Sequence, residues 1–468
     1  MLRSVNINET LARVRIVFIQ SSQPKNARCD QIFGGRQWVL GLERNAALKN
    51  RSGRHAVPDF FRDLETAEGR FVAPFFGAES EARTGDLESA NGLIVAFDGE
   101  KLVANGDVDL VARAGVGCRL FPRTLHRMRA SGTIRLPMKK YHIAIVGATG
   151  AVGAELLRVL ERRSFPVASL RPIGSSRSAG KSIQFREQSI PVEALSDQSF
   201  DKIDIAFFSA GGAISKEHVP LARDAGAIVI DNSSVFRMEA DVPLVIPEIN
   251  GDDVRKHRGL IANPNCTTAV ALMAIYPLHR AFGVRRVFAA SYQAVSGSGQ
   301  RAIDELKQQV EATVTDRHSP PEVYPHAIAF NVLPHVDVFL ESGYTKEEMK
   351  MQNEGAKIMH LPEFRASVTC VRVPVYRAHS VAVNAEFEKQ VSVEQAREVL
   401  AKAPGLELVD EPHNNRYPMP LTVAGKDNCE VGRVRLDCAL ENGLSFWVSG
   451  DQLLKGAALN AVQIAELL

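Results

Sequence analysis

From residue 142 onward, apolar residues come in short runs broken by glycine-rich turns. His142-Ile-Ala-Ile-Val is the first such run. It stops at Gly147-Ala-Thr-Gly-Ala-Val-Gly153, and residues 154–163 follow with apolar positions at 156, 157 and 160. A continuous apolar run followed by a period near 3.6 predicts strand, turn and helix. The alternation continues with strands predicted at 167–173, 203–209 and 227–231 and a helix at 216–225. Strands alternating with helices predict an α/β lobe built on a parallel sheet, with ligands gathered at the carboxyl ends of its strands. From residue 284 the pattern changes. Strand-like runs at 286–295, 367–375, 380–388, 431–439 and 444–448 outnumber helices and predict a second, α+β lobe with a mixed sheet. Residues 452–468 read as a helix returning to the first lobe. The expected lobes are therefore 138–264 with 453–468, and 265–452.

Residues 1–137 break this picture. They show little periodicity, although 92–97 and 102–111 have the character of short strands. Their charge also differs: 17 Arg and 3 Lys against 15 acidic residues give +5, whereas 138–468 carry −3. Three readings compete. Arg3, Arg13 and Arg15 in a Ser-containing start suggest a targeting peptide, but the stretch is long and acidic for one. A regulatory domain is the second. The favoured expectation is that the segment is disordered or not part of the functional protein, since Met138-Lys-Lys directly precedes the first strong strand.

The whole chain has a formal charge of only +2, which gives no reason to expect nucleic acid or a membrane surface as partner. No apolar run is long enough to span a bilayer. The six cysteines lack CxxC spacing, which argues against a disulfide framework or a metal site and fits a reducing cytoplasm.

One cysteine stands apart. Asn263-Pro-Asn-Cys-Thr-Thr268 places Cys266 after a turn signal, at the start of an apolar, helix-like run. Helix N-termini offer unpaired N–H groups and a positive dipole end. These favour thiolate, the nucleophilic form, and can stabilise an oxyanion. A lone cysteine is more often buried and inert, but this one has company. The turn at 147–153 suits a pyrophosphate at a helix N-terminus, with Gly147, Thr149, Gly150, Ala151, Val152 and Gly153 as its candidates. After the second strand, Ser175, Ser176, Arg177 and Ser178 stand where an NAD site usually carries an acid; an Arg with hydroxyls suits the 2′-phosphate of NADP. Ser209 and Gly211 end the next strand, and Arg237 follows another, although a lone Arg is commonly a surface residue. Tyr292-Gln-Ala-Val-Ser-Gly-Ser-Gly299 offers Gln293 to position a carbonyl. Arg372 and His379 supply a cation and an imidazole, but their odd spacing puts them on opposite faces of an unbroken strand, so convergence needs a bend near Pro374. Glu347 and Lys350 share a helix face; spacing alone favours a surface ion pair.

Taken in order, GATGAVG (147–153), SSRSAGK (175–181), DNSSVFRM (231–238), NPNCTT (263–268), YQAVSGSG (292–299), EEMK (347–350), RVPVYRAH (372–379) and DQLLKGAALNAVQIAE (451–466) closely resemble the aspartate-β-semialdehyde dehydrogenase family. The resemblance covers 138–468; nothing in 1–137 takes part. It implies a Rossmann-type NADP-binding domain and a catalytic domain that also makes a homodimer, or a dimer of dimers. It further implies that Cys266 attacks aspartyl β-phosphate to form a thioester, which hydride from NADPH converts to the aldehyde for lysine, threonine, methionine and diaminopimelate synthesis. In that scheme Gln293 orients the acyl group and His379 is the general acid/base. Arg372 grips the α-carboxylate, Glu347 the amino group, and Arg237, Asn265 and Lys350 the phosphate. NADP lies against 147–153 and 175–178 with Ser209, Gly211 and Asn460. Two alternatives stand beside this reading. One is an N-acetyl-γ-glutamyl-phosphate reductase, disfavoured by Glu347, which is suited to a free amino group. The other is a non-catalytic NADP-binding protein, disfavoured by the set Cys266, Gln293 and His379.

Overall fold

Tyr141–Val146 (β1) is buried from Ile143 onward, as a strand covered on both faces must be. It lies near the middle of a six-stranded sheet in the computed structural model, which describes residues 139–468 in full and, before them, only the backbone of short strands. The short strands expected at 92–97 and 102–111 fall on Ile94–Asp98, Lys101–Asn105 and Asp107–Leu110; the other expectations for residues 1–137 lie outside the described residues.

The other strands of this sheet are Val167–Gly174 (β2), Glu193–Ala194 (β3), Ile205–Phe208 (β4), Ile228–Asp231 (β5) and Leu260–Ala262 (β6). All pairings are parallel, in the order β3-β2-β1-β4-β5-β6. The order reverses between β1 and β4, which opens a crevice at the carboxyl end of β1, where the 147–153 turn sits. The alternation in sequence anticipated β1, β2, β4 and β5. It missed β3, which is two residues long and follows a hairpin of Ser182–Phe185 with Gln188–Pro191. Ala151–Arg162 (α1) and Gly212–Asp224 (α2) follow β1 and β4. Both start earlier than periodicity suggested, because their first turns are built from the glycine-rich segments themselves.

The second sheet comprises Val284–Gln293 (β7), Ala366–Arg372 (β8), His379–Phe387 (β9), Leu406–Leu408 (β10), Cys429–Leu436 (β11) and Gly443–Gly450 (β12). Its order is β8-β7-β9-β12-β11-β10. β7 pairs parallel with β8 and antiparallel with β9, so the sheet is mixed, as predicted. Gln300–Val314 (α4), Lys346–Ile358 (α5) and Val393–Ala401 (α6) accompany it.

Cys266–Phe282 (α3) joins the two halves. Its residues from Ala269 to Leu278 share one hydrophobic core with Ala144, Val146 and Phe208 of the first sheet and Val287, Val383 and Phe446 of the second. A helix that is apolar all round is stable only when it is covered all round, and α3 is covered in this way. The chain end returns to the first sheet, as predicted. It opens on a wide π-turn, Leu454–Ala458, before Leu459–Glu466 (α7). Leu454, Leu459 and Val462 pack with Ile143, Leu157 and Leu160. Among the described residues, no helix is long and apolar enough to cross a membrane.

Candidate active site

Cys266 is the first residue of α3, as the turn signal predicted. Asn265 caps the helix, its Oδ1 accepting the Thr268 N–H at 3.0 Å. Gly456 of the π-turn lies against the cysteine; a Cβ there would come within 2.7 Å of the Cys266 Cβ. Cys266 is partly exposed, but its protonation departs from the expectation. Burial of the sulfur, with the Glu347 carboxylate nearby, pushes the thiol up to about 11, and Arg237, Arg372 and Lys350 pull against this. Burial, the largest cause, thus opposes the thiolate that the helix end favours. Iodoacetamide labelling of Cys266 should therefore climb about tenfold per pH unit from pH 7 and show no plateau below pH 10. Mass spectrometry can follow it, with exposed Cys438 as reference; a plateau near pH 7–8 would show that the helix end prevails.

Arg372 and His379 converge because the segment is not one strand. β8 ends at Arg372 and β9 begins at His379, on opposite sides of β7. The connecting turn contains Ala378 at φ 73°, a left-handed conformation costly for a residue with a Cβ. The Ala378 N–H donates to Gln452 Oε1 at 2.7 Å, which holds the turn. Both functional side chains then meet the main chain of Ala294. Its C=O accepts from Arg372 Nη1 at 2.7 Å, and its N–H donates to His379 Nδ1 at 3.0 Å. A ring that accepts at Nδ1 carries its proton at Nε2 when neutral. Burial, then the Arg372 charge, pushes His379 down to about 3, so the ring is neutral at physiological pH. His379 Nε2 and Arg372 Nε are buried and have no protein partner. Gly297 leaves room for both: a Cβ there would sit 3.0 Å from Arg372 Nη1 and 3.4 Å from His379 Nε2.

Glu347 and Lys350 do not form a surface pair. Glu347 is buried, and its carboxylate accepts from Lys350 Nζ (2.8 Å), Asn265 Nδ2 (3.0 Å) and Gln293 Nε2 (3.1 Å). Burial opposes its ionisation, but Lys350 and the two amides hold the carboxyl below its ordinary range. Arg237 is likewise buried. Its Nε, Nη1 and Nη2 donate to Asn263 O, Glu354 Oε1 and Asn232 O at 2.9, 2.9 and 2.8 Å. The second Glu354 oxygen accepts the Asn265 N–H at 2.7 Å. Glu354 thus ties Arg237 to the start of α3, and the sequence reading passed over it. The signal was there: Glu347, Lys350 and Glu354 stand at i, i+3 and i+7 on one face of α5. Asp337, which takes Lys350 Nζ at 3.0 Å, had no such signal.

The first-sheet candidates gather at the carboxyl ends of their strands. Gly147 has φ 90°, and a Cβ on it would strike Ser209 O at 2.5 Å; one on Gly153 would strike Gly147 O at 2.3 Å. No side chain caps α1, so the N–H groups of Ala151, Val152 and Gly153 stay available. Thr149 Oγ1 lies 3.3 Å from Ser178 Oγ, which brings the two candidate loops together. Ser175, Ser176 and Arg177 are exposed beside them. Gly211, at φ 93°, opens α2. Asn460 is fully buried; its Nδ2 is spent on Val245 O and Asn263 Oδ1, and its Oδ1 has no partner. A narrow glycine cradle, open helix N–H groups and an orphaned amide oxygen fit a dinucleotide. Among the described residues, no group of His, Cys, Asp and Glu is arranged to hold a metal ion.

Family models match both lobes of the chain. Residues 142–257 match the family described as semialdehyde dehydrogenase, NAD binding domain, and residues 275–455 match semialdehyde dehydrogenase, dimerisation domain. The aspartate-semialdehyde dehydrogenase of Aquifex aeolicus is 52% identical over 332 residues, which are 70% of this chain and 98% of that protein. The crystal structure of aspartate semialdehyde dehydrogenase II from Vibrio cholerae, complexed with ASA, is 42% identical with a TM-score of 0.69, covering 71% of this chain and 98% of its own. The Candida albicans enzyme solved with NADP shares the fold at 23% identity and TM-score 0.56, covering 70% of this chain and 98% of its own. By its fold, by its two matched domains and by identity across nearly the whole length of such relatives, the chain belongs to the aspartate-semialdehyde dehydrogenase family.

Proposed function

We propose that this protein carries out the NADPH-dependent reductive dephosphorylation of L-aspartyl 4-phosphate to L-aspartate 4-semialdehyde, through a thioester on Cys266. The observation that carries this reading is the polar set around the thiol: the charges of Glu347, Arg237, Arg372 and Lys350 all reach Cys266. An amino group, a carboxylate and a phosphate are what one anion and three cations can sort. Arg372, with its free Nε, takes the α-carboxylate and Glu347 the amino group. Arg237, Asn265 and Lys350 take the phosphate, Arg237 using the N–H bonds that its protein partners leave over. Gln293, anchored on Glu347, orients the acyl group.

Attack of the Cys266 sulfur on the acyl carbon forms the C–S bond and breaks the C–O bond to phosphate, and the thiol proton ends on the departing phosphate. Splitting the conversion at a covalent intermediate lowers the hardest step. The negative charge that develops on the acyl oxygen needs donors. His379 offers Nε2–H, and α3 offers its first N–H groups. A neutral imidazole held at Nδ1 by Ala294 acts here as a hydrogen-bond donor, and a full proton exchange at Nε2 follows only when that bond yields. When bound, NADPH supplies hydride to the thioester carbon; its candidates are 147–153, 175–178, Ser209, Gly211 and Asn460, with Arg177 set for the 2′-phosphate. Cys266 is then released as thiolate and regains a proton readily, given a value of about 11.

The proposed domains are 138–264 with 453–468 for cofactor, and 265–452 for catalysis and subunit contact. A dimer follows from the matched dimerisation domain, and pairing of dimers and a cytoplasmic location complete the proposal. The test is phosphate-dependent reduction of NADP by aspartate semialdehyde, with the full chain and with one starting at Met138. Equal activity in both would assign the reaction to 138–468; activity only with N-acetylglutamate semialdehyde would move the substrate to the acetylated rival.

A further inference from the structure

We propose that Asp337 is a positioning residue that holds Lys350 and competes with the substrate phosphate for it, thereby setting the affinity for phosphate. The inference rests on the assignment of Lys350 to the phosphate. Lys350 Nζ bridges two carboxylates, Glu347 Oε2 at 2.8 Å and Asp337 Oδ2 at 3.0 Å. Its side chain is 20% exposed, and that of Asp337 is 34% exposed, so this pair lies on the solvent side of the buried Glu347. Asp337 is fixed in this pose. It sits at φ 69°, a conformation that Asp tolerates better than most residues, and its Oδ1 accepts the Val338 N–H at 2.8 Å. The loop carrying it is pinned at both ends. Leu333 exchanges backbone hydrogen bonds with Arg372, and the Lys346 N–H donates to Val338 O at 2.9 Å.

The charges explain why such a residue matters. Arg237, Arg372 and Lys350 are balanced by Glu347, Glu354 and Asp337, so the side chains of the site sum close to neutral. Glu354 is committed to Arg237 and Asn265, and Glu347 receives three donors. Asp337 is the carboxylate of the three with a partly exposed side chain, and its one bond besides Lys350 is to the adjacent Val338 N–H, so it is the one an arriving dianion displaces. A held ammonium is pre-oriented, and the carboxylate that holds it also weakens phosphate capture and eases phosphate departure after each turnover.

The test compares Asp337→Asn, Asp337→Glu and wild type as full chains. The KM for inorganic phosphate is measured in NADP reduction, together with calorimetric binding of inorganic phosphate to the resting protein. Asp337→Asn is expected to tighten both constants roughly three- to tenfold and to leave the KM for the aldehyde in place. Asp337→Glu should stay near wild type, as should Glu341→Gln, which removes a charge from an exposed residue of the same loop. Unchanged or weaker phosphate binding in Asp337→Asn would overturn the proposal and make Asp337 a structural pin. If wild type shows no phosphate-dependent turnover while calorimetry still reports tightening in Asp337→Asn, the proposed reaction falls and this inference stands.

Discussion

Cys266→Ala is expected to lower phosphate-dependent NADP reduction by on the order of 10⁴-fold or more while leaving NADP binding near its wild-type strength. The loss follows from the absence of a substitute nucleophile among the described residues. Of the other described cysteines, Cys370 and Cys429 are buried, with thiols pushed up to about 12 by burial, and Cys438 is exposed far along the chain on the turn after β11. Without the sulfur no acyl intermediate forms, and the remaining donors can only bind the acyl phosphate. Cys266→Ser should be almost as inactive, because a hydroxyl in this desolvated position is far harder to ionise than a thiol at about 11. NADP binding survives because the proposed cradle at 147–153 and 175–178 belongs to β1, α1 and β2, and the side chain removed is small. A NADPH fluorescence titration beside the activity assay separates the outcomes. Retained turnover would refute the thioester, and lost binding would make Cys266 a packing residue.

Glu354→Ala is expected to destabilise the protein by about 3–5 kcal/mol, the largest stability effect foreseen for any single change at the site. Arg237 and Glu354 have side chains only 7% and 3% exposed. Removing the carboxylate leaves a buried guanidinium short of its counter-charge and strips the Asn265 N–H of its acceptor. The urea midpoint reports the loss. Arg237→Met combined with Glu354→Leu should recover part of it, since an apolar pair in the same space avoids the stranded charge, but that variant should bind phosphate poorly. Equal stability in Glu354→Ala and wild type would mean that water reaches Arg237 and the pair is not sealed.

Much of the site was legible because its chemistry is local. Strand, glycine turn and helix read directly into β1, the 147–153 loop and α1, and Asn-Pro-Asn-Cys placed Cys266 at a helix start that Asn265 does cap. Four features needed tertiary information, although a bend near Pro374 was the stated condition for one of them. The helix end said thiolate, but the sulfur's desolvation depends on Gly456 and on charges from α5 and β8, which are remote in sequence. Spacing put Arg372 and His379 on opposite faces, and only the break at 373–378, with Ala378 in the left-handed region, lets two strands flank Gln293. Glu347 and Lys350 looked like surface neighbours because i,i+3 spacing says nothing about what covers the face. The cover is the Asn265 end of α3 and the Gln293 end of β7. Asp337 could not be anticipated, since its role depends on a loop anchored to Arg372.

The shared core around α3 limits how this protein can be taken apart. A helix whose apolar circumference is divided between two sheets is core to both lobes, so a cut at residue 264 or 265 would leave the fragment that kept it with a raw hydrophobic flank. The cofactor lobe is therefore a poor donor for modular transplantation, and chimeras among relatives should cross over at exposed stretches such as 316–321 instead.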